Sequence, residues 1–182
     1  MVGMDLGFGE MEKLIAALHP SVKSSVIAAR LKYFQREGFP SEELNVGTGG
    51  RASFDVTSLW KLVVVFELLS LGYAPAMASS LVRTRWSLVH GVLSSAWAGR
   101  AQAHGLPTLL AVRQQALGTT VFDGVVEVLR PRDIEALLRR ESEDVRHASF
   151  MNVTRLVRSV ADALDALFEG RKPTRRAEQF AP

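Results

Sequence analysis

Cysteine is absent from the 182-residue chain. That excludes disulfide staples, thiolate metal sites and cysteine nucleophiles, and it suits a reducing compartment. Long apolar runs are missing too. The longest, near residues 62–69, is interrupted by Glu67 and falls far short of the ~20 residues that span a bilayer. The first residues, Met1 to Asp5, lack the basic-then-apolar order of a secretory leader. A cytoplasmic protein with no membrane partner is the expectation. Charge of one sign is scarce in bulk: 22 basic residues against 19 acidic ones leave a formal charge of +3. The sequence pI of about 9.6 is therefore uninformative about partners, and local distribution decides. Apolar residues reach 47%, enough to bury a core in one large domain or two small ones.

Acidic residues are missing from two stretches. From Lys23 to Arg36 the charged residues are Lys23, Arg30, Lys32 and Arg36. From Leu68 to Phe122 they are Arg83, Arg85, Arg100 and Arg113. Each stretch can form part of a positive surface or a solvated basic face of an arginine-rich protein.

Periodicity and punctuation divide the chain. Residues 1–10 are glycine-rich and expected to be flexible. Met11–Leu18 reads as a short helix on the stripe Leu14, Ile15, Leu18, broken by His19-Pro20-Ser21. A second helix is expected from Ser24 or Ser25, either serine serving as its cap, to about Glu37 with Gly38 as terminator. Val26, Ile27, Leu31 and Phe34 are its expected core face. Pro40–Arg51 has turn chemistry, with a small hairpin expected around Gly47–Gly50. Asp55 is an N-cap for a helix from Val56 to about Leu71, apolar nearly all round and so central to a core. Pro75 opens a further helix to about Arg85, and Trp86–His104 forms another. Beyond Pro107, β-branched residues and the turn signals Gly118 and Gly124 predict two or three short strands within 108–112 and 119–129. A charged helix is expected from Pro131 to about Glu143. A last helix runs from about Asn152 to Phe168, its stripe of Val153, Leu156, Val157, Val160, Leu164 and Leu167 serving as core or dimer seam. Residues 171–182 read as a disordered basic tail.

Lys32-Tyr33-Phe34-Gln35-Arg36-Glu37-Gly38-Phe39 is a basic residue, two aromatics, a polar residue, a basic-acidic pair, glycine and an apolar residue. Gly49-Gly50-Arg51 followed by Phe54-Asp55, and Leu71-Gly72-Tyr73 before Ala76–Val82, come after it in order. On these three matches residues 11–85 resemble the DNA-binding domain of MerR-type winged helix-turn-helix regulators. The resemblance implies a winged helix-turn-helix with a small β-hairpin wing over residues 11–85; with the elements read above, the expected fold is mainly α, this domain being followed by a connecting or dimerisation helix (86–105) and a smaller α+β C-terminal region (106–170). No resemblance extends over that last region.

A recognition helix needs side chains that reach base edges and neutralise phosphates, which arginine and lysine do, with tyrosine and serine hydroxyls donating to phosphate oxygens. The expected DNA-binding residues are Lys23, Ser25, Arg30, Lys32, Tyr33 and Arg36 on the second helix and Arg51 on the wing. The resemblance implies backbone contacts for Lys32 and Tyr33. The expected function is a sequence-specific DNA-binding transcriptional regulator of bacterial or phage-like type, partnered by double-stranded DNA and a second copy of the chain, with the C-terminal region open to a protein partner. An excisionase-like or small-terminase-like DNA-architectural factor, or a protein-interaction module that never touches DNA, are the alternatives. No catalytic residue, metal site or cofactor is expected. His19, His90, His104 and His147 lack metal-ligand spacing, Glu141, Glu143 and Asp144 cluster beside Arg139, Arg140 and Arg146 as on a salt-bridged face, and no lysine-serine pair follows the glycines of a phosphate loop.

Overall fold

A computed structural model of the chain describes residues 5–41, 53–101, 106–114, 122–139, 148–169 and 177–182. These residues are mainly helical, with a two-stranded and a three-stranded antiparallel sheet. They divide into two compact units, residues 1–66 with 159–182 and residues 67–158. No described helix is long and apolar enough to cross a membrane.

The first unit begins with β1 (Leu6–Gly7), which pairs antiparallel with β2 (Ser53–Phe54), Leu6 opposite Phe54. Residues 5–10 are thus not a loose end. Leu6 is fully buried, Ser53 Oγ donates to Asp5 Oδ2 at 2.7 Å, and α1 starts at Phe8 rather than Met11. The described β pair joins segments distant in sequence; the hairpin expected around Gly47–Gly50 lies outside the described residues. α1 (Phe8–Leu18) buries Met11, Leu14 and Ile15, the i, i+3, i+4 spacing of one helical face. Its N-terminus is closed by the Glu10 carboxylate, which accepts from the Gly7 N–H at 3.0 Å.

α2 (Ser24–Arg36) follows after five residues, and the Val22 N–H donates to the His19 carbonyl at 2.9 Å within that turn. At the far end Gly38 adopts φ 62. The Phe39 N–H returns to the Phe34 carbonyl at 2.9 Å and the Gly38 N–H to Gln35 at 3.1 Å, a glycine-terminated helix end. The reversal delivers Phe39 into the core, where Phe34 meets both Phe39 (5.7 Å) and Phe66 (6.1 Å).

α3 (Val56–Ser70) opens on Asp55, whose Oδ1 accepts from the Ser58 N–H at 2.7 Å. Leu59, Trp60 and Leu62 to Val65 are all buried, so the expected all-round burial holds. The C-terminal segment corrects another expectation. Residues 177–182 are no disordered tail: Ala177–Phe180 form a 3-10 turn with Ala177 and Phe180 buried. The Phe180 ring stacks on Phe168 at 5.6 Å and 8°, and the Phe180 carbonyl accepts from Trp60 Nε1 at 2.6 Å. Residues 171–176 lie outside the described residues.

In the second unit α4 (Pro75–Ala98) is continuous through the expected break at 85–86, which appears only as non-helical backbone at Arg85 (φ −114, ψ 15). The expected extension to His104 does not occur; the helix stops at Ala98 before Gly99. The sheet runs β4 (Gly124–Leu129), β3 (Leu109–Gln114), β5 (Ser149–Asn152), antiparallel throughout. Strand β5 was not anticipated. Within 131–143 there is a 3-10 turn (Pro131–Asp133) and then α5, only Ile134–Leu138; residues 140–143 lie outside the described residues. Ala111, Leu129 and Leu137 form a small core with Leu109 and Phe150. α6 (Val153–Phe168) starts where predicted, the Asn152 side chain accepting from the Arg155 N–H at 2.9 Å.

Candidate nucleic-acid interface

The geometry of α2 follows from which of its residues must be inside. Ile27, Leu31 and Phe34 are buried. At about 100° per residue, the opposite face is Ser25, Ala29, Lys32 and Arg36, spaced by four, three and four, and all four are exposed. One flank of that stripe is Val26, Arg30 and Tyr33. The helix therefore presents Lys32 and Arg36 together with Ser25 along about 16 Å of its length, while Arg30 and Lys32 point about 160° apart, as expected. Lys23 stands at the N-cap, exposed. Tyr33 is half-buried, its ring edge-on to Phe34 at 5.4 Å and 71°. Arg51 lies outside the described residues.

The electrostatics of this face are uncompensated. Among the described residues neither Lys23, Arg30, Lys32 nor Arg36 has an ion-pair partner. The first turn holds no acid, so the partial positive charge of the helix N-terminus adds to Lys23. Val26 and Ile27 N–H groups donate to the Lys23 carbonyl at 2.9 and 3.2 Å, which leaves Ser24 and Ser25 N–H as the outward donors of the first turn. Neither serine caps the helix; Ser24 Oγ instead donates to the Glu12 carboxylate of α1, a bond that joins the two helices at the turn.

One expectation for the core face of this helix changes. Val26 is not in the core: it is 45% exposed, and Val22 in the preceding turn is 39% exposed. Apolar side chains beside cations are the chemistry that meets a thymine methyl; Val26 reads as core from its valine character alone. A wheel drawn strictly from Ile27, Leu31 and Phe34 places Val26 about 100° off the buried face.

In the second acid-free stretch three of the four arginines, Arg85, Arg100 and Arg113, have partners within the unit. Arg113 is buried and pairs with Glu127 of the neighbouring strand at 3.3 Å. Arg85 donates to the Gly124 carbonyl at 3.4 Å. Arg100 donates to the Trp97 carbonyl at 2.9 Å and lies over that indole at 4.2 Å. These guanidinium groups brace the unit itself.

Among the described residues two titratable groups are perturbed, both by burial. His19 is held below the usual histidine value and Glu67 above the usual carboxylate value. His90 lies against the Trp86 ring at 5.6 Å; His104, His147 and the carboxylates at 141–144 lie outside the described residues. No three metal-ligating side chains converge among the described residues. Comparison with protein-family models, with curated proteins and with solved structures gave no match.

Proposed function

We propose that the chain is a sequence-specific DNA-binding regulator of bacterial or phage-like type, residues 11–85 acting as a MerR-type winged helix-turn-helix, at work in the cytoplasm on the nucleoid. The observation that carries this reading is the outward face of α2. Cations, hydroxyls and two valines are exposed on this helix and the turn before it, and a second helix braces its N-terminus. Affinity comes first from phosphate neutralisation by Lys23, Lys32 and Arg36 and from the N–H groups of the first turn. Base readout falls to the N-terminal half, where Ser25, Val26, Ala29 and Arg30 lead the helix into the major groove. Arg51 joins from the segment between α2 and β2. A helix this short reads few base pairs, so a dimer on paired half-sites supplies the specificity. No cofactor or catalytic group enters the reading.

Selection of bound duplexes from a random pool by the full chain tests it. Enrichment of a motif with two related half-sites is the expected result. Failure to retain any duplex at low salt would leave the exposed cations of α2 without this role.

A further inference from the structure

The second unit contains a cavity of about 570 Å³ between α4 and the C-terminal end of β4. That is within the range of about 300–1,000 Å³ that accommodates small organic ligands. Its apolar walls are Leu88, Val92, Val128 and Leu129. Two of these are unusually open for aliphatic side chains: Leu88 is 38% and Val128 47% exposed. The floor is a helix face at i, i+4, i+8, Ser87, Gly91 and Ser95. A Cβ built at Gly91 meets nothing within 4 Å, so the space directly above this position is open.

Charge says what fits there. Arg130 and Asp133 both line the cavity, but the carboxylate is already occupied. Its Oδ2 accepts from the Arg130 N–H at 2.9 Å and its Oδ1 lies 3.7 Å from Arg132 Nε. The Arg130 guanidinium has no acidic partner among the described residues. The hydroxyls behave alike. Ser79 and Thr84 on the same helix donate back to carbonyls of the preceding turn, whereas among the described residues the Ser87 and Ser95 hydroxyls have no partner. An apolar trough with serine hydroxyls on its floor and, among the described residues, a cation without an acidic partner in its lining suits an amphipathic anion.

We propose that this cavity binds an organic anion with an aliphatic body, the apolar part lying on Leu88, Val92 and Val128 and the carboxylate at Arg130. The site stands independently of the nucleic-acid reading, since every residue it uses belongs to the second unit.

Octanoate, decanoate and decanol titrated into the full chain, followed by calorimetry and by amide chemical shifts, test the proposal. Decanoate is expected to saturate in the millimolar range or below, shifting amides of residues 87–95 and 128–133. Each added methylene is expected to tighten binding by up to about fourfold. Decanol is expected to bind about threefold to fivefold more weakly than decanoate, the modest factor an exposed cation supplies. Gly91→Leu fills the trough on an exposed helix position where leucine favours helix; it should abolish binding while leaving the far-ultraviolet spectrum unchanged. Arg130→Gln should equalise decanoate and decanol yet keep the dependence on chain length. Absence of saturable binding, binding unaffected by Gly91→Leu, or equal affinity for the anion and the alcohol in the parent chain would each overturn the proposal. So would a dimer that Gly91→Leu dissociates, because the trough would then be the seat of a second copy.

Discussion

Removing the side chain of Phe180 should cost the first unit several kilocalories per mole, although only two residues, Ala181 and Pro182, follow it. Phe180 is 1% exposed, and truncating a buried phenylalanine costs about 3–5 kcal/mol. Its stacked geometry on Phe168 places the value near the top of that range, because such pairs add about 0.5–1.5 kcal/mol beyond area. Phe180→Ala keeps the backbone carbonyl that accepts from Trp60 Nε1. Deleting residues 177–182 removes that acceptor as well and adds about 1–3 kcal/mol for a buried indole N–H deprived of this bond. Against a typical total of about 5–15 kcal/mol, Phe180→Ala should fold with a lowered midpoint and the deletion should lie close to unfolding. Urea titrations followed by circular dichroism and tryptophan fluorescence measure both, with Glu169→Ala, an exposed neighbour, as a control expected within about 0.5 kcal/mol. A Phe180→Ala cost below about 1 kcal/mol, or a deletion no worse than the single substitution, would refute the assignment of this segment to the core.

Further outcomes follow from other groups. Glu127→Gln breaks the ion pair with buried Arg113; Glu127 is itself 24% exposed in its side chain, so the loss should be about 2–3 kcal/mol, below the full range for a buried pair. Glu135→Gln breaks the exposed pair with Arg139 and should cost at most about 0.5 kcal/mol; urea midpoints of the two variants should differ accordingly. Burial lowers the His19 pKa, so the unfolded chain binds its proton first. The stability His19 contributes is present above the ordinary histidine value and declines as pH falls below about 6.5; His19→Gln should flatten that part of a stability-versus-pH curve. Burial raises the Glu67 pKa, so the folded chain holds that proton longer. Stability therefore falls as pH rises through the window above the ordinary carboxylate value, and Glu67→Gln should be more stable than the parent at neutral pH.

Where the fold could be read from the sequence, one local rule decided. α2 and α3 have the expected limits because Gly38 and Gly72 supply the positive φ that stops a helix and Asp55 supplies the cap. Elsewhere the deciding partner is remote. β1 is two residues long and exists because Ser53–Phe54 return to it. Phe180 is one aromatic in a polar tail, buried because Trp60 and Phe168 are there to receive it. β5 carries no alternation, and its register beside β3 is a property of the sheet. Arg113 reads as a surface cation until the β3–β4 register sets Glu127 diagonally across from it. The candidate interface was readable for the same reason as α2: three buried residues define the wheel, and Ser25, Lys32 and Arg36 lie opposite them. Val26 has the apolar character of a core residue but lies about 100° from the buried face and is exposed.

The central claim is that Lys32 and Arg36 of α2 face the phosphates of a DNA duplex. Fluorescence anisotropy of a selected duplex with the parent chain and with Lys32→Ala/Arg36→Ala, across a series of salt concentrations, measures it directly. Loss of two phosphate contacts should make the slope of log K against log salt shallower by about 1.8 and weaken binding across all sequences alike. An unchanged slope with unchanged affinity would contradict the claim.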